Sequence, residues 1–427
     1  MSSQPEIQTE KTPPENRRDV PVARRRVFYV PGFDPIPPRR YRELYRKEAA
    51  QQAALSGYRI ELIAQARETP GFGWHVDAGI DGHETRTDIE VLIWSDIVRD
   101  HMSSGIAATY VQLARTAWIY IASGALARLV RLRKGPVLAA FYPVVVLLGQ
   151  LALAIGAGTL AAMAVQWLAG ALAPTLILAL AGGLGAATAL LVLRWFRAQD
   201  GRFYAYYLMH DYAFSATARG AYPPALEARL TEFADRVKAS LNEDSDEVLV
   251  VGHSSGAYLS VSVLAAVLRA QASGKAPGPA LSFLSLGQVV PMVSFLPDAD
   301  RLRADLAYLS SSTDLTWVDV SAPGDGCSFA LCDPVAVSGV AEPDKRWPLV
   351  LSAAFTHALS AERWKALRWR FFRLHFQYLC AFDRPADYDY FQITAGPLTL
   401  AKRFAGRAPS PSRIETPLSG HTSRSPE

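Results

Sequence analysis

The stretch Glu247-Val248-Leu249-Val250-Val251-Gly252-His253-Ser254-Ser255-Gly256 carries the strongest signal in this chain of 427 residues. Residues 247–251 form an almost continuous apolar run, typical of a strand covered on both faces. The spacing Gly-x-Ser-x-Gly follows directly, and an apolar helix pattern begins near Ala257. A serine on a sharp strand–turn–helix junction needs small neighbours, and Gly252 and Gly256 let the two elements approach closely. We therefore expect Ser254 to stand at the carboxyl edge of a sheet as a nucleophile. The alternative is a glycine- and serine-rich turn without catalysis.

Apolar runs on either side of this stretch predict a sheet around it. We expect helical patterns at about 39–56 and 225–241, and strands at 27–30, 58–65, 74–78, 89–94, 247–251, 281–286 and 315–320. Strands that are separated by helices form a mostly parallel sheet with helices on both faces. The predicted fold class is therefore α/β.

A long uncharged stretch interrupts this pattern. Residues 135–193 contain no Asp, Glu, Lys, Arg or His, and these 59 residues allow two membrane spans. We place the spans at about 143–168 and 175–196, with the break at 169–174; the alternative is a buried core helix. Basic residues flank both ends, so the positive-inside rule predicts that both ends are cytoplasmic: Arg128, Arg131, Arg133, Lys134, Arg194, Arg197 and Arg202.

These features divide the chain into five segments. We expect disordered polar tails, one α/β domain in two parts, and a transmembrane hairpin between the parts: 1–25, 26–134, 135–196, 197–403 and 404–427. The stretch 108–131 mixes aromatic residues with spaced arginines. It either lies along the membrane interface or packs as an ordinary amphipathic helix against the sheet.

Charge and cysteine content exclude several classes of protein. The net charge of +4 is too small to indicate nucleic-acid binding. Cys327, Cys332 and Cys380 are too few for a disulfide framework and fit a reducing compartment. Cys327 and Cys332 have no partners at zinc spacing, so we interpret both as small apolar side chains. No metal cluster and no phosphate-binding glycine loop is recognisable, and we expect no cofactor.

Through Gly252-His253-Ser254-Ser255-Gly256 and its strand–turn–helix context, the chain resembles the α/β-hydrolase superfamily, in its bacterial lipase/esterase-like branch. The resemblance covers most of 26–400, apart from the hairpin. It implies an oxyanion hole with one donor at the backbone N–H of Ser255. The second donor comes from the loop after an early strand, here Val30-Pro31-Gly32-Phe33-Asp34. Phe33 N–H is the expected donor and Gly32 the alternative, unless Pro31-Gly32 is a plain turn.

The resemblance also implies the chain order serine, acid, histidine. Asp325 follows the strand 315–320 and suits the acid, unless it belongs to a plain Asp-Gly turn; Asp319 and Asp333 are weaker candidates. His375 is the preferred base, because His375-Phe376-Gln377-Tyr378 looks like the histidine region of lipase-like relatives. His357, after an apolar run at 348–355, is the alternative. His421 lies in the predicted tail, and His253 is expected to fill space in the elbow.

These expectations describe a membrane-anchored serine hydrolase in a membrane like the bacterial inner membrane. It would cleave lipid or long-chain acyl esters through an acyl-enzyme intermediate. Its expected partners are membrane lipids and the ester substrate, without nucleic acid; the oligomeric state is left open. The alternative is an inactive scaffold tethered to the membrane on a hydrolase-like fold.

Overall fold

A computed structural model describes residues 21–64, 71–168, 173–271 and 278–424. In these ranges eight strands form one sheet in the order β2-β3-β4-β1-β5-β6-β7-β8. The strands are β1 Arg24–Val30, β2 Arg59–Ala64, β3 Phe72–Ile80, β4 His83–Val91, β5 Glu247–His253, β6 Ala280–Leu286, β7 Thr316–Ser321 and β8 Leu349–Ser352.

Helices follow most of the strands and account for the rest of the regular structure. They are α1 Arg39–Ser56, α2 Ser95–Met102, α3 Ile106–Ala122, α4 Ala125–Leu132, α5 Lys134–Leu168, α6 Pro174–Ala198, α7 Asp200–Phe203, α8 Ala205–Thr217, α9 Pro224–Ser240, α10 Ser255–Ala270, α11 Val290–Ser294, α12 Asp300–Ser311, α13 Pro334–Val337, α14 Phe355–Ala358, α15 Ala361–Leu367, α16 Phe371–His375, α17 Tyr390–Ala395 and α18 Leu400–Arg403. A 3₁₀ helix, Phe376–Leu379, follows α16 directly.

The predicted α/β class is confirmed, but the sheet is mixed. The neighbours from β4 through β1 and β5 to β8 are parallel, whereas β3 is antiparallel to both β2 and β4. The reason is the two-residue turn Asp81-Gly82, in which both residues have positive φ. So short a connection can join only antiparallel strands.

The hydrophobic core consists of two clusters, one on each face of the sheet, and the central strand β5 contributes side chains to both. Val248 and Val250 pack into the cluster beneath α9, α10 and α12. Leu249 and Val251 pack into the opposite cluster, which includes side chains of α1 and α17. Every residue of β5 is buried, as the apolar run predicts. The strand that leads to Ser254 is therefore held from both sides.

A buried ion pair fixes β1 against β5. Arg25 faces Glu247 in register, and Arg25 Nε donates to Glu247 Oε2 over 2.7 Å with both side chains fully buried. Arg25 also donates to the carbonyls of Gly396 and Leu398, so the guanidinium is well satisfied. β1 begins at Arg24, two residues inside the predicted tail 1–25; residues 1–20 lie outside the described ranges.

Helices α5 and α6 form a helical hairpin, and both are long and apolar enough to cross a membrane. They run antiparallel and touch at two glycines: a Cβ built on Gly158 would lie 2.6 Å from the Gly185 carbonyl oxygen. Leu153, Leu160 and Trp167 are among the large apolar side chains that α5 exposes. Of the predicted break, residues 169–172 lie outside the described ranges, and α6 begins at Pro174.

The stretch 108–131 folds into α3 and α4. Leu113 and Tyr120 are buried on the inner side of α3, which packs mainly against α8, whereas the amphipathic alternative placed this helix against the sheet. The outer side of α3 nevertheless exposes Val111, Trp118 and Ile121. One face of this stretch is thus packed and the other is apolar and open.

The C-terminal segment 404–424 differs from the predicted disordered tail. Ile414 pairs with Cys332, and Ile414 and Leu418 pack beside the cluster that contains Phe329. Arg128, one of the basic residues that precede the uncharged stretch, donates to the Leu418 carbonyl oxygen over 3.0 Å. A few apolar side chains can hold a polar segment against the protein surface when they fit a complementary groove.

Candidate active site

Ser254 occupies the turn between β5 and α10 in a strained backbone conformation. Its φ of 57° and ψ of −122° are rare for a residue with a side chain. Crowding explains why its neighbours are glycines. A Cβ on Gly256 would lie 2.0 Å from the Val30 carbonyl oxygen, and one on Gly252 would lie 2.7 Å from the Gly256 carbonyl oxygen. Larger residues at either position would push α10 away from β1 and β5.

The loop after β1 lies directly against Ser254. A Cβ built on Gly32 would be 3.0 Å from Ser254 Cβ and 3.4 Å from its Oγ. Within the described part of the chain, the backbone N–H groups of Gly32, Phe33 and Ser255 donate no hydrogen bond. The backbone N–H groups predicted as oxyanion donors are therefore free, and Gly32, Phe33 and Ser255 line the same cavity as Ser254.

Two side chains fix the backbone of this loop. Trp94 Nε1–H donates to the Pro31 carbonyl oxygen over 2.9 Å, and the Tyr207 hydroxyl donates to the carbonyl oxygen of Phe33. The Phe33 ring also packs against Trp94 and Phe214. Because the carbonyls are tied back, the N–H groups of the loop are held in one place.

Asp325 and His375 form a hydrogen bond at the same edge of the sheet. His375 Nδ1–H donates to Asp325 Oδ2 over 2.8 Å, and the Tyr378 hydroxyl donates to the same oxygen over 3.0 Å. Cys327 N–H donates to Asp325 Oδ1 over 3.0 Å. Burial alone would raise the pKa of Asp325, but the charge and hydrogen bond of His375 lower it below its usual value. The carboxylate is therefore ionised when the imidazole faces it.

This hydrogen bond also fixes the imidazole tautomer. When Nδ1 carries the proton that goes to Asp325, Nε2 of the neutral ring keeps a lone pair. His375 Nε2 is buried and has no hydrogen-bond partner in the described residues. His375 and Ser254 line the same cavity. The ring thus holds a free acceptor nitrogen in the cavity that contains the serine.

The other histidine and aspartate candidates lie apart from this arrangement. His357 is exposed on α14 and lines no part of the cavity. His421 lies on the packed C-terminal segment, where its Nε2–H donates to the Ser123 carbonyl oxygen over 3.3 Å. Asp319 is buried in β7 against the Ser285 hydroxyl, and Asp333 caps the N-terminus of α13.

His253 has a structural role and does not take part in the proton transfers expected in the cavity. Its Nε2–H donates to the His375 carbonyl oxygen over 3.0 Å, and the two rings lie 4.7 Å apart. Burial, together with the charge of His375, lowers the pKa of His253 to about 3. His253 is therefore a neutral side chain that supports the backbone of His375.

The cavity contains a carboxyl group that sequence reasoning missed. Asp211 lies on α8 and lines the cavity with Tyr207 and Tyr212. It forms no hydrogen bond to any residue that the structure describes, and burial raises its pKa to about 7. No sequence motif marks this residue. It reaches the cavity because α8 returns from the helical hairpin across the carboxyl edge of the sheet.

Cys327 is a second residue that the sequence interpretation undervalued. One ligand atom each from Asp325, Cys327 and His375 lies within 4.8 Å of the others, so the three could hold a metal ion. Carboxylate, thiolate and imidazole form a donor set that suits zinc. Burial raises the pKa of the Cys327 thiol well above its usual value, so binding would require the metal to displace the thiol proton. Asp325 and His375 are 50 positions apart in the sequence, so spacing arguments did not reveal this grouping.

No protein-family model, curated protein or solved structure matches the chain.

Proposed function

We propose that the chain is a membrane-anchored serine hydrolase of the α/β-hydrolase type. The observation that carries the proposal is one constellation: strained Ser254, free N–H groups beside it, and the His375–Asp325 pair on the same cavity. Nucleophile, oxyanion donors, base and acid are the four parts that acyl transfer through serine requires.

The chemistry assigns each residue one role. His375 Nε2 takes the proton of Ser254, whose Oγ attacks the carbonyl carbon of an ester. The N–H groups of Ser255 and Phe33, or of Gly32, stabilise the oxyanion. Collapse of the tetrahedral intermediate expels the alcohol, which receives the proton from His375. Water then attacks the acyl-enzyme by the same sequence and releases the acid.

The topology of the sheet supports this assignment. The oxyanion loop follows β1, Ser254 follows β5, and Asp325 follows β7, and these strands belong to the parallel part of the sheet. In such sheets ligands bind beyond the carboxyl ends of the strands. The antiparallel strand β3 lies three strands from β5 and leaves this edge unchanged.

We further propose that α5 and α6 cross the membrane as two spans, with both parts of the α/β domain in the cytoplasm. β1 precedes the helical hairpin and β5 follows it, yet the two strands are adjacent in one sheet. An even number of crossings is the only topology that permits this pairing. Cysteines placed at Ala173 and at Asp200 should react from opposite sides of the bilayer. Reaction of both from the same side would contradict the two-span topology.

The cavity walls favour a lipid or long-chain acyl substrate. Pro136 at the base of α5, and Tyr207 and Asp211 on α8, line the cavity, so the residues flanking the hairpin form part of it. An acyl chain could then reach Ser254 from the bilayer without crossing water. We expect the full chain in bilayers to hydrolyse long-chain esters better than short ones, and Ser254→Ala to hydrolyse neither.

The same assay separates the competing account. An inactive scaffold would hydrolyse no ester of any chain length above the level of Ser254→Ala. A different result would be equal or better activity on short esters that does not change when a soluble linker replaces 135–196. This result would support the serine hydrolase and contradict the entry of the substrate from the bilayer. In that case the helical hairpin is only a tether.

A further inference from the structure

Residues 361–375 form a basic-aromatic segment that ends at His375. It contains α15 and α16, and its sequence Ala-Glu-Arg-Trp-Lys-Ala-Leu-Arg-Trp-Arg-Phe-Phe-Arg-Leu-His has Glu362 as its single acid. Trp369 is 73% exposed and Phe371 is 49% exposed. Large aromatic side chains this open on a short segment need an explanation, because a solvated face is normally polar.

Four cations of this segment have no anionic partner in the described part of the chain, whereas Arg363 pairs with Glu48 over 3.8 Å. Lys365, Arg368, Arg370 and Arg373 are exposed, and none of them forms an ion pair with a described residue. Arg368 instead lies 5.6 Å from the centre of the Trp369 ring. Unpaired cations interleaved with exposed aromatic rings suit the interfacial region of a membrane, where headgroups are charged and ring faces are half-wetted.

The position of the basic-aromatic segment relative to the helical hairpin also indicates the membrane interface as its partner. The Phe372 ring packs 4.8 Å from Tyr204 and 5.8 Å from Tyr207, just after α6 ends. A Cβ built on Gly326 would lie 3.5 Å from the Phe371 ring, and one on Gly135 would lie 3.6 Å from Gly326 Cα. The segment is therefore one residue layer from the base of α5.

We propose that the basic-aromatic segment docks onto anionic lipid headgroups of the bilayer that holds α5 and α6. This inference rests on the proposed membrane insertion of the helical hairpin. Trp369 and Phe371 enter the interfacial layer, and the four cations contact headgroup phosphates. Because Phe372, His375 and Phe376 line the cavity, the membrane surface then borders the mouth through which an acyl chain enters.

The test places a fluorescent amino acid at one position of the full chain in proteoliposomes. Phe371 reports the segment, Leu160 reports the hairpin, and Asn242, exposed before β5, reports the aqueous side. The vesicles contain phosphatidylcholine with or without phosphatidylglycerol, and a headgroup-nitroxide lipid supplies the quencher. We expect at least twofold stronger quenching at position 371 with phosphatidylglycerol than without it, and none at position 242.

Charge variants give the matched control. Arg370→Gln/Arg373→Gln should abolish the extra quenching at position 371, whereas Arg86→Gln/Lys238→Gln, at the opposite edge of the sheet, should leave it intact. No quenching at position 371, or quenching independent of phosphatidylglycerol, overturns the inference when position 160 reports a lipid environment. An aqueous signal at position 160 instead contradicts the proposed insertion itself. Ester hydrolysis, measured separately, bears on neither result.

Discussion

The imidazole of His375 donates from Nδ1 to Asp325 Oδ2 over 2.8 Å, across 50 residues of chain. The same carboxylate also receives hydrogen bonds from the Tyr378 hydroxyl and the Cys327 N–H. Three donors hold Asp325 in one orientation, and this orientation sets the tautomer and the position of the ring. The cavity thus contains a histidine whose free nitrogen is preset, which is the property a general base needs.

His375 and His357 give a matched pair of substitutions. His375→Ala removes the proposed base, so we expect ester hydrolysis to fall by about 10⁴-fold or more, with little change in substrate affinity. His357→Ala changes an exposed side chain outside the cavity, and its activity should stay within a few-fold of wild type. Steady-state hydrolysis by the two variants measures the difference. If His357→Ala were inactive and His375→Ala were active, His357 and not His375 would be the general base.

Gly32 is expected to resist even a methyl group. A Cβ there would press on Ser254 Cβ at 3.0 Å, so Gly32→Ala should displace the loop or the serine and lower kcat by about 10²-fold. Gly201→Ala is the control, because a Cβ at that position meets nothing within 4 Å. Thermal melting should stay close to wild type for both variants. Full activity of Gly32→Ala would show that the close approach has no bearing on the reaction.

The glycine contact between α5 and α6 predicts a face-specific effect in the helical hairpin. Gly158→Val puts a branched side chain against the Gly185 carbonyl oxygen, whereas Gly156→Val meets nothing within 4 Å on the other face. Overpacking of this kind costs about 1–3 kcal/mol. Melting in detergent should therefore occur at lower temperature for Gly158→Val than for Gly156→Val. Equal melting temperatures would mean that the two helices do not pack in this way.

Asp319 should make the protein less stable as the pH rises. Burial raises its pKa from the ordinary 3.8 to about 8, so between these values the folded chain keeps a proton that the unfolded chain has lost. The free energy of unfolding then falls with increasing pH by up to about 1.4 kcal/mol per unit. Asp319→Asn should flatten this slope, and the exposed Asp314→Asn should keep it. Melting temperatures from pH 4 to pH 8 provide the measurement, and parallel curves for wild type and Asp319→Asn would contradict it.

Local features of the site were predictable from the sequence, and distant ones were not. The turn around Ser254 is contiguous in sequence, so the small residues that its close packing requires, Gly252 and Gly256, can be recognised from the sequence alone. The antiparallel β3–β4 pair was also signalled, by Asp81-Gly82 between two strands, although the expected sheet was mostly parallel. Asp211 and Cys327 reach the cavity only through the return of α8 and the loop after β7. The packing of the C-terminal segment was not predicted, because its few apolar residues, Ile414 and Leu418, contact a groove that exists only in the folded chain.

The most direct test of the account is covalent labelling of Ser254 in membranes that contain the full chain. A fluorophosphonate probe should form one adduct on the peptide that carries Ser254, identified by mass spectrometry, because only an activated serine attacks phosphorus at a useful rate. Ser254→Ala should abolish the adduct, and Asp325→Asn should slow its formation by about 10⁴-fold. An unlabelled Ser254 in folded protein, or labelling that is equally fast in Asp325→Asn, would contradict the proposal that this chain is a serine hydrolase.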